Sequence, residues 1–286
     1  MIERMLFLDL ETNLKGDCVS KAGLCIESLG GGLAWSWTDA SPRRRLQERL
    51  DDALFEAAAV AGHNVWRHDL PLLEKQFPQL VLLGRLPVVD TLELSPLCFP
   101  RNPYHALEKD YKPTGREEND PLGDAVLTRQ LLRREVEVLD ELRGKDPPLH
   151  RALHGLCASG SGRMERGYAL VFVDKLPPEE SVLAAARACA GRNGCATAAA
   201  RLEMPVSREE RMALAYVLAW LSVAGDCRSV LPGWVWRQFP RTRDWAAALR
   251  DVPCGDPACA WCRTQFDARE RLRRWFPDFP DFRADE

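Results

Sequence analysis

From Met5 to Glu11 the run Met-Leu-Phe-Leu-Asp-Leu-Glu is nearly continuously apolar and predicts a buried strand. Its carboxylates, Asp9 and Glu11, stand two residues apart and so share one face of that strand. Further strands are expected at Cys18–Glu27 and Gly32–Thr38, around Gly30-Gly31-Gly32. Arg44–Val60 has helical spacing through Leu46, Leu50, Leu54 and Ala58. Leu86–Thr91 reads as another buried strand, and Asp120–Arg143 as a long helix with Leu122, Val126, Leu127, Leu131 and Leu132 on its apolar side. Strands followed by alternating helix and strand predict an α/β domain over residues 1–145. Lys145-Asp-Pro-Pro148 is the expected linker, because proline stops a helix and restricts the residue before it. Residues 146–286 read as a mainly helical second domain. It holds one strand at Tyr168–Asp174, a helix at Pro177–Ala190, and a helix at Ser207–Ala224 that opens with the capping-box pattern Ser207-Arg-Glu-Glu210.

A length of 286 residues agrees with two domains at roughly 150 residues each. The 39 Lys+Arg against 42 Asp+Glu leave a formal net charge of -3, so no global basic field points to nucleic acid or an anionic membrane, and a nucleic-acid partner must be held locally. No stretch approaches the roughly 18 apolar residues of a membrane span, and the amino end lacks signal-peptide character, which predicts a cytoplasmic protein. No Gly-x-x-x-x-Gly-Lys-Ser/Thr loop is present, so ATP hydrolysis is not expected of this chain. Of nine tryptophans, Trp234, Trp236, Trp245, Trp261 and Trp275 fall near the carboxyl end, and core packing is their expected role.

Four carboxylates stand out by context: Asp9 and Glu11 in Leu8-Asp-Leu-Glu-Thr12, Asp69 in Gly62-His-Asn-Val-Trp-Arg-His-Asp-Leu-Pro71, and Asp124 in Asn119-Asp-Pro-Leu-Gly-Asp-Ala125. In these segments, and in their order and separations, the chain resembles the DEDD exonuclease superfamily, whose fold is the RNase H-like, DnaQ-like mixed sheet flanked by helices. Four carboxylates converging on one site repel one another unless cations neutralise them. Hard oxygen ligands select Mg²⁺ or Mn²⁺, and two ions about 4 Å apart can hold the attacking and leaving oxygens of a phosphoryl displacement. The resemblance implies that Asp9 bridges both ions, that Glu11 and Asp124 serve the nucleophile-side ion, and that Asp69 completes the other, partly through water. The implied reaction is 3′→5′ release of nucleoside monophosphates from DNA, single-stranded ends above all. RNA trimming is a further activity of the same fold.

The chain departs from that family where its histidine branch has a base five residues before the last aspartate. Asn119 stands there, and an amide cannot accept a proton near pH 7 as an imidazole does. Three outcomes remain open at this point: His105 supplies the imidazole, Asn119 positions a metal-activated water, or cleavage is lost. In the last case the domain grips a DNA end or a partner without cutting. His68 is expected to face away from Asp69, and His63 to be a packing histidine. Thr12, Asn13 and Asn64 are the substrate contacts the resemblance implies; Trp66 suits either base stacking or the core, and Lys112, beside Lys109 and Arg116, either a phosphate contact or a solvated face.

Cysteines supply the second signal. Cys254, Cys259 and Cys262 have the tight spacing of structural zinc knuckles. With Cys227 as the fourth ligand the segment resembles the zinc-binding subdomain of RecQ-type helicases. Cys18, Cys25, Cys98, Cys157, Cys189 and Cys195 are expected to be small buried apolar residues. Both resemblances together imply the amino-terminal part of a bacterial exonuclease and RecQ-like helicase fusion, with Phe276–Glu286 resembling an interdomain linker. A helicase domain in the same polypeptide is the implied partner.

Overall fold

The computed structural model describes residues 4–26, 32–107, 120–172, 174–224 and 231–268. They form an α/β structure with a five-stranded mixed sheet and twelve α-helices among the described residues. The strands are β1 (Met5–Thr12), β2 (Val19–Ile26), β3 (Leu33–Thr38), β4 (Ala59–Gly62) and β5 (Val88–Asp90), in spatial order β3-β2-β1-β4-β5. β1 pairs antiparallel with β2 and parallel with β4. β2 pairs antiparallel with β3, and β4 parallel with β5. β1 is therefore central, and Met5, Leu6, Phe7, Leu8 and Leu10 are all buried, as a near-continuous apolar run requires.

Between the strands lie α1 (Arg43–Glu56) and α2 (Asp69–Gln76), and α3 (Thr91–Cys98) follows β5 directly. The helix expected over residues 44–60 ends at Glu56, and Ala59–Gly62 become β4 instead. Alanine's helix propensity is overridden there by pairing with Met5–Phe7 on one side and Val88–Asp90 on the other. The long α4 (Pro121–Lys145) crosses β1 and β2, burying Asp124, Ala125, Thr128, Leu132, Glu135 and Leu139 at helical spacing.

The helical half comprises α5 (Pro147–Ala158), α6 (Arg163–Val171), α7 (Glu179–Asn193), α8 (Ala196–Ala200), α9 (Arg208–Leu221), α10 (Gly233–Gln238), α11 (Arg241–Ala246), a π-helical turn at Ala247–Asp251, and α12 (Ala260–Phe266). The strand expected at Tyr168–Asp174 is not formed: Arg163–Val171 is helical and buries Met164, Tyr168 and Val171 at spacings of four and three. Capping by Ser207 at α9 is present, its hydroxyl accepting from the Glu210 N–H. The α4–α5 junction is a single residue, Asp146, whose side chain accepts from the Leu149 N–H.

Buried side chains of the sheet and of the helical half form one continuous cluster. α6 lies against β5 so closely that a Cβ on Gly167 would stand 1.9 Å from the Val88 carbonyl oxygen. Glu93 of α3 receives Tyr168 Oη at 3.2 Å and the Arg208 guanidinium, and its carbonyl accepts from Tyr216 Oη at 2.9 Å. Trp234, Trp236 and Trp245 pack partly buried on the core, and Trp275 lies outside the described residues. Among the described residues no helix is long and apolar enough to cross a membrane.

Candidate functional site

Strand β1 delivers Asp9 and Glu11, and the first turn of α4 delivers Asp124. One carboxylate oxygen from each lies within 4.8 Å of the others, with Asp124 buried and the other two half-buried. The approach of α4 depends on Gly23, which stands opposite Asp9 in the β1–β2 register. A Cβ there would lie 2.2 Å from the Pro121 carbonyl carbon and the Leu122 nitrogen, so only glycine lets the helix start this close to the sheet.

Asp69 does not join the group of three. It opens α2, is buried, and its Oδ1 accepts the Leu10 N–H at 3.0 Å, pinning the backbone between the two β1 carboxylates. Burial raises its carboxyl above the ordinary aspartate value, and His68 acts against that shift. The expectation that His68 faces away is overturned: its Nδ1 lies 3.6 Å from Asp69 Oδ1, because the turn before α2 directs both side chains to one side. That contact raises the imidazole above its usual value, and the charges of Asp9 and Glu11 add to it.

The other imidazoles of this region are internal. His63 Nδ1 lies 3.0 Å from Thr91 Oγ1, and burial lowers it to about 4. His105, a candidate base, is buried with Nδ1 2.9 Å from Ser95 Oγ, and burial lowers its affinity for a proton. It is absent from the group that the three carboxylates form. Asn119, Lys109, Lys112 and Arg116 lie outside the described residues.

Thr12 ends β1 at a register shift between Glu11 and Thr12. Asn13 is committed to its own loop: Oδ1 accepts the Asp17 N–H at 3.2 Å, and Nδ2 donates to Asp17 Oδ1 at 2.8 Å. Asn64 adopts φ 65°, the left-handed region that Asn tolerates better than most residues. Asp90, which sequence reasoning passed over, holds that turn. Its Oδ1 accepts the Asn64 N–H at 2.9 Å, and its Oδ2 accepts the Trp66 N–H at 3.0 Å. The Trp66 ring is occupied by Arg163, whose guanidinium carbon lies 5.5 Å from the ring centroid.

A second cluster joins Cys195, Cys254, Cys259 and Cys262, which lie close together and could hold a metal ion such as zinc. Cys227, the expected fourth ligand, lies outside the described residues, and Cys195 is the fourth thiol of the group that the described residues bring together. Cys195 is thus more than the small buried apolar residue expected from its isolated place in the sequence. It precedes α8, which leans on the turn carrying Leu249, and the Cys195 N–H donates to the Leu249 carbonyl at 2.8 Å. No family model, curated protein or solved structure matches this chain.

Proposed function

We propose that this chain is a divalent-metal-dependent 3′→5′ exonuclease of DNA ends with an RNase H-like, DnaQ-like core. The observation that carries this reading is the convergence of Asp9, Glu11 and Asp124 within 4.8 Å. The strand order β3-β2-β1-β4-β5, with β2 alone antiparallel to both its neighbours, supports the same reading.

An all-carboxylate donor set fits Mg²⁺ or Mn²⁺, hard cations that prefer oxygen, and Asp9, Glu11 and Asp124 would hold them. Such ions would supply Lewis-acid stabilisation of the charge that builds on phosphate oxygens during an in-line displacement. The chain's own residues preorganise this arrangement. Asp69 fixes β1 through the Leu10 N–H, and Gly23 admits the first turn of α4. His68, half-exposed, lies against Asp69 beside the carboxylates, and that contact raises its affinity for a proton.

A second reading is an end-binding module that grips a DNA 3′ end, or a helicase partner, without cutting. It is favoured by one observation: among the described residues the imidazole beside the carboxylates, His68, is turned to Asp69, and His105, the candidate base, is turned to Ser95.

Incubating 5′-labelled single-stranded DNA with the full chain and Mg²⁺ or Mn²⁺ separates the two readings. Exonuclease action yields a ladder of shortened products and free nucleoside monophosphates, and Asp124→Asn removes it while the circular dichroism spectrum stays unchanged. Intact DNA that is nevertheless retained by the protein in a gel-shift experiment establishes the binding module. Undiminished cleavage by Asp124→Asn defeats the carboxylate assignment.

A further inference from the structure

The four-thiol cluster stands apart from the carboxylates, and the reaction proposed above makes no use of it. Its Sγ atoms are 3.6 Å apart for Cys195 and Cys259, 3.7 Å for Cys195 and Cys262, and 3.5 Å for Cys254 and Cys262. A disulfide requires about 2.05 Å, so these contacts are not bonds in waiting between fixed pairs. Four thiolates placed tetrahedrally at about 2.3 Å from one ion have edges of roughly 3.8 Å, close to the spacing seen. An iron–sulfur cluster, with several irons and sulfides between its ligands, would hold the thiolates farther apart. Two backbone amides point at the sulfurs: the Ala198 N–H donates to Cys195 Sγ and the Cys254 N–H to Cys262 Sγ, both at 3.3 Å. Thiolates welcome such donors, which spread the charge of a sulfur-rich site.

A second observation concerns what orders this part of the chain. In residues 252–268 only Cys259 and Cys262 are buried. With Cys195 they make up a separate small cluster, which Ala198, Cys254, Trp261 and Phe266 only flank. A segment of this length whose buried residues are all cysteines has almost no apolar core to offset its ordering entropy. Hydrogen bonds that tie it to its surroundings run from Thr197 Oγ1 to Asp256 Oδ2 at 3.3 Å, from Arg201 Nη1 to the Cys254 carbonyl at 3.3 Å, and from the Val252 N–H to the Ala247 carbonyl at 2.9 Å.

We propose that Cys195, Cys254, Cys259 and Cys262 bind one zinc ion in a closed thiolate site, and that this ion, in place of an apolar core, folds residues 252–268 onto α8. Four protein ligands leave no open coordination position, so the site is structural. Cys195, from the α7–α8 junction, makes the staple long-range: it fastens the segment that carries α12 to the helical half across the 58 residues between Cys195 and Cys254.

The test uses the full chain as purified. About one zinc per chain is expected, with four sulfurs near 2.3 Å by X-ray absorption. Chelation should open residues 252–268 to trypsin at Arg263 while the α/β half stays protected, and added Zn²⁺ should restore the protection. Cys195→Ser and Cys254→Ser should lose at least about ten-fold in zinc affinity, whereas Cys227→Ser and Cys98→Ser should keep it. Should Cys195→Ser fail to fold, reversible chelation of the unaltered protein still decides the matter. The proposal is overturned by iron in place of zinc, by metal-free protein with residues 252–268 protected, or by zinc that is lost in Cys227→Ser and kept in Cys195→Ser.

Discussion

At the scale of single residues, the most exacting chemistry lies in buried acids that do not belong to the carboxylate cluster. Glu135 on α4 is fully buried, neither oxygen has a hydrogen-bond partner, and burial pushes its carboxyl well above the usual range, with the nearby Asp90 charge adding to the shift. Burial pushes Asp90 up to about 7, with Glu93 adding to the effect. Each holds in the folded state a proton that the unfolded chain releases near pH 4. Their contribution to stability is therefore complete below that pH and is lost as pH rises through the folded values. Glu135→Gln, a neutral isostere, should raise the melting temperature by a few degrees at pH 8 and by much less at pH 5. A melting difference that does not change with pH would remove Glu135 from this account. Such acids were not legible in the sequence, because Glu135 sits among charged residues on an ordinary helix pattern and only the fold reveals its burial. Asp9, Glu11 and Asp124 could be read because their segments carry a motif in order. Cys195 could not, because only tertiary contact brings it to a knuckle 59 residues away.

Between elements, the decisive contact is the landing of α4 on β2. Gly23 meets backbone atoms of Pro121 and Leu122, which cannot rotate away as a side-chain end can. Gly23→Ala must push the first turn of α4 outward and withdraw Asp124 from Asp9 and Glu11. An ångström of misplacement in a catalytic constellation costs on the order of 10²-fold in rate, and overpacking of this kind costs about 1–3 kcal/mol in stability. Gly144→Ala makes the contrast, since nothing lies within 4 Å of its Cβ and α4 gains a better helix former. Calorimetric titration with Mn²⁺ and the rate of DNA cleavage should both fall in Gly23→Ala and hold in Gly144→Ala; equal behaviour of the two would defeat the close-approach argument. A glycine inside a strand is the signal that the sequence offers for such a close approach. Periodicity located β1, α4 and α9, which are long and strongly patterned. It failed where the chain is short or ambiguous: Ala59–Gly62 has alanines that suit a helix yet pairs as β4, and the apolar residues around Tyr168 suit either period until α6 docks on β5.

For the molecule as a whole, the proline pair at 147–148 marks a change of architecture without marking a gap in the core. Asp146 alone separates α4 from α5, and buried residues continue from the sheet into α5, α6, α7 and α9. The helical half also grips the α/β half through charged side chains. The Arg163 guanidinium donates to the Leu83 and Leu86 carbonyls, with Nε 3.1 Å from the latter, and pairs with Glu74 at 2.8 Å. Arg67, in the turn before Asp69, lies over the Phe239 ring. Among the described residues Glu93 is met by groups from both halves: Arg67 from the α/β half, Arg208 and Tyr168 from the helical half. Residues 1–145 alone would leave the Glu93 carboxylate without Arg208, and removing one partner of a buried ion pair costs about 3–5 kcal/mol. The same cut would uncover the faces of β5 and α3 against which α6 and α9 pack, and exposed apolar surface costs about 25 cal/mol per Å². Residues 1–145 by themselves should therefore show no cooperative thermal transition and no near-ultraviolet circular dichroism, while the full chain melts its α/β and helical halves together. Cooperative melting of residues 1–145, with metal-dependent cleavage intact, would establish the α/β half as an independent folding unit and reduce the helical half to an appendage.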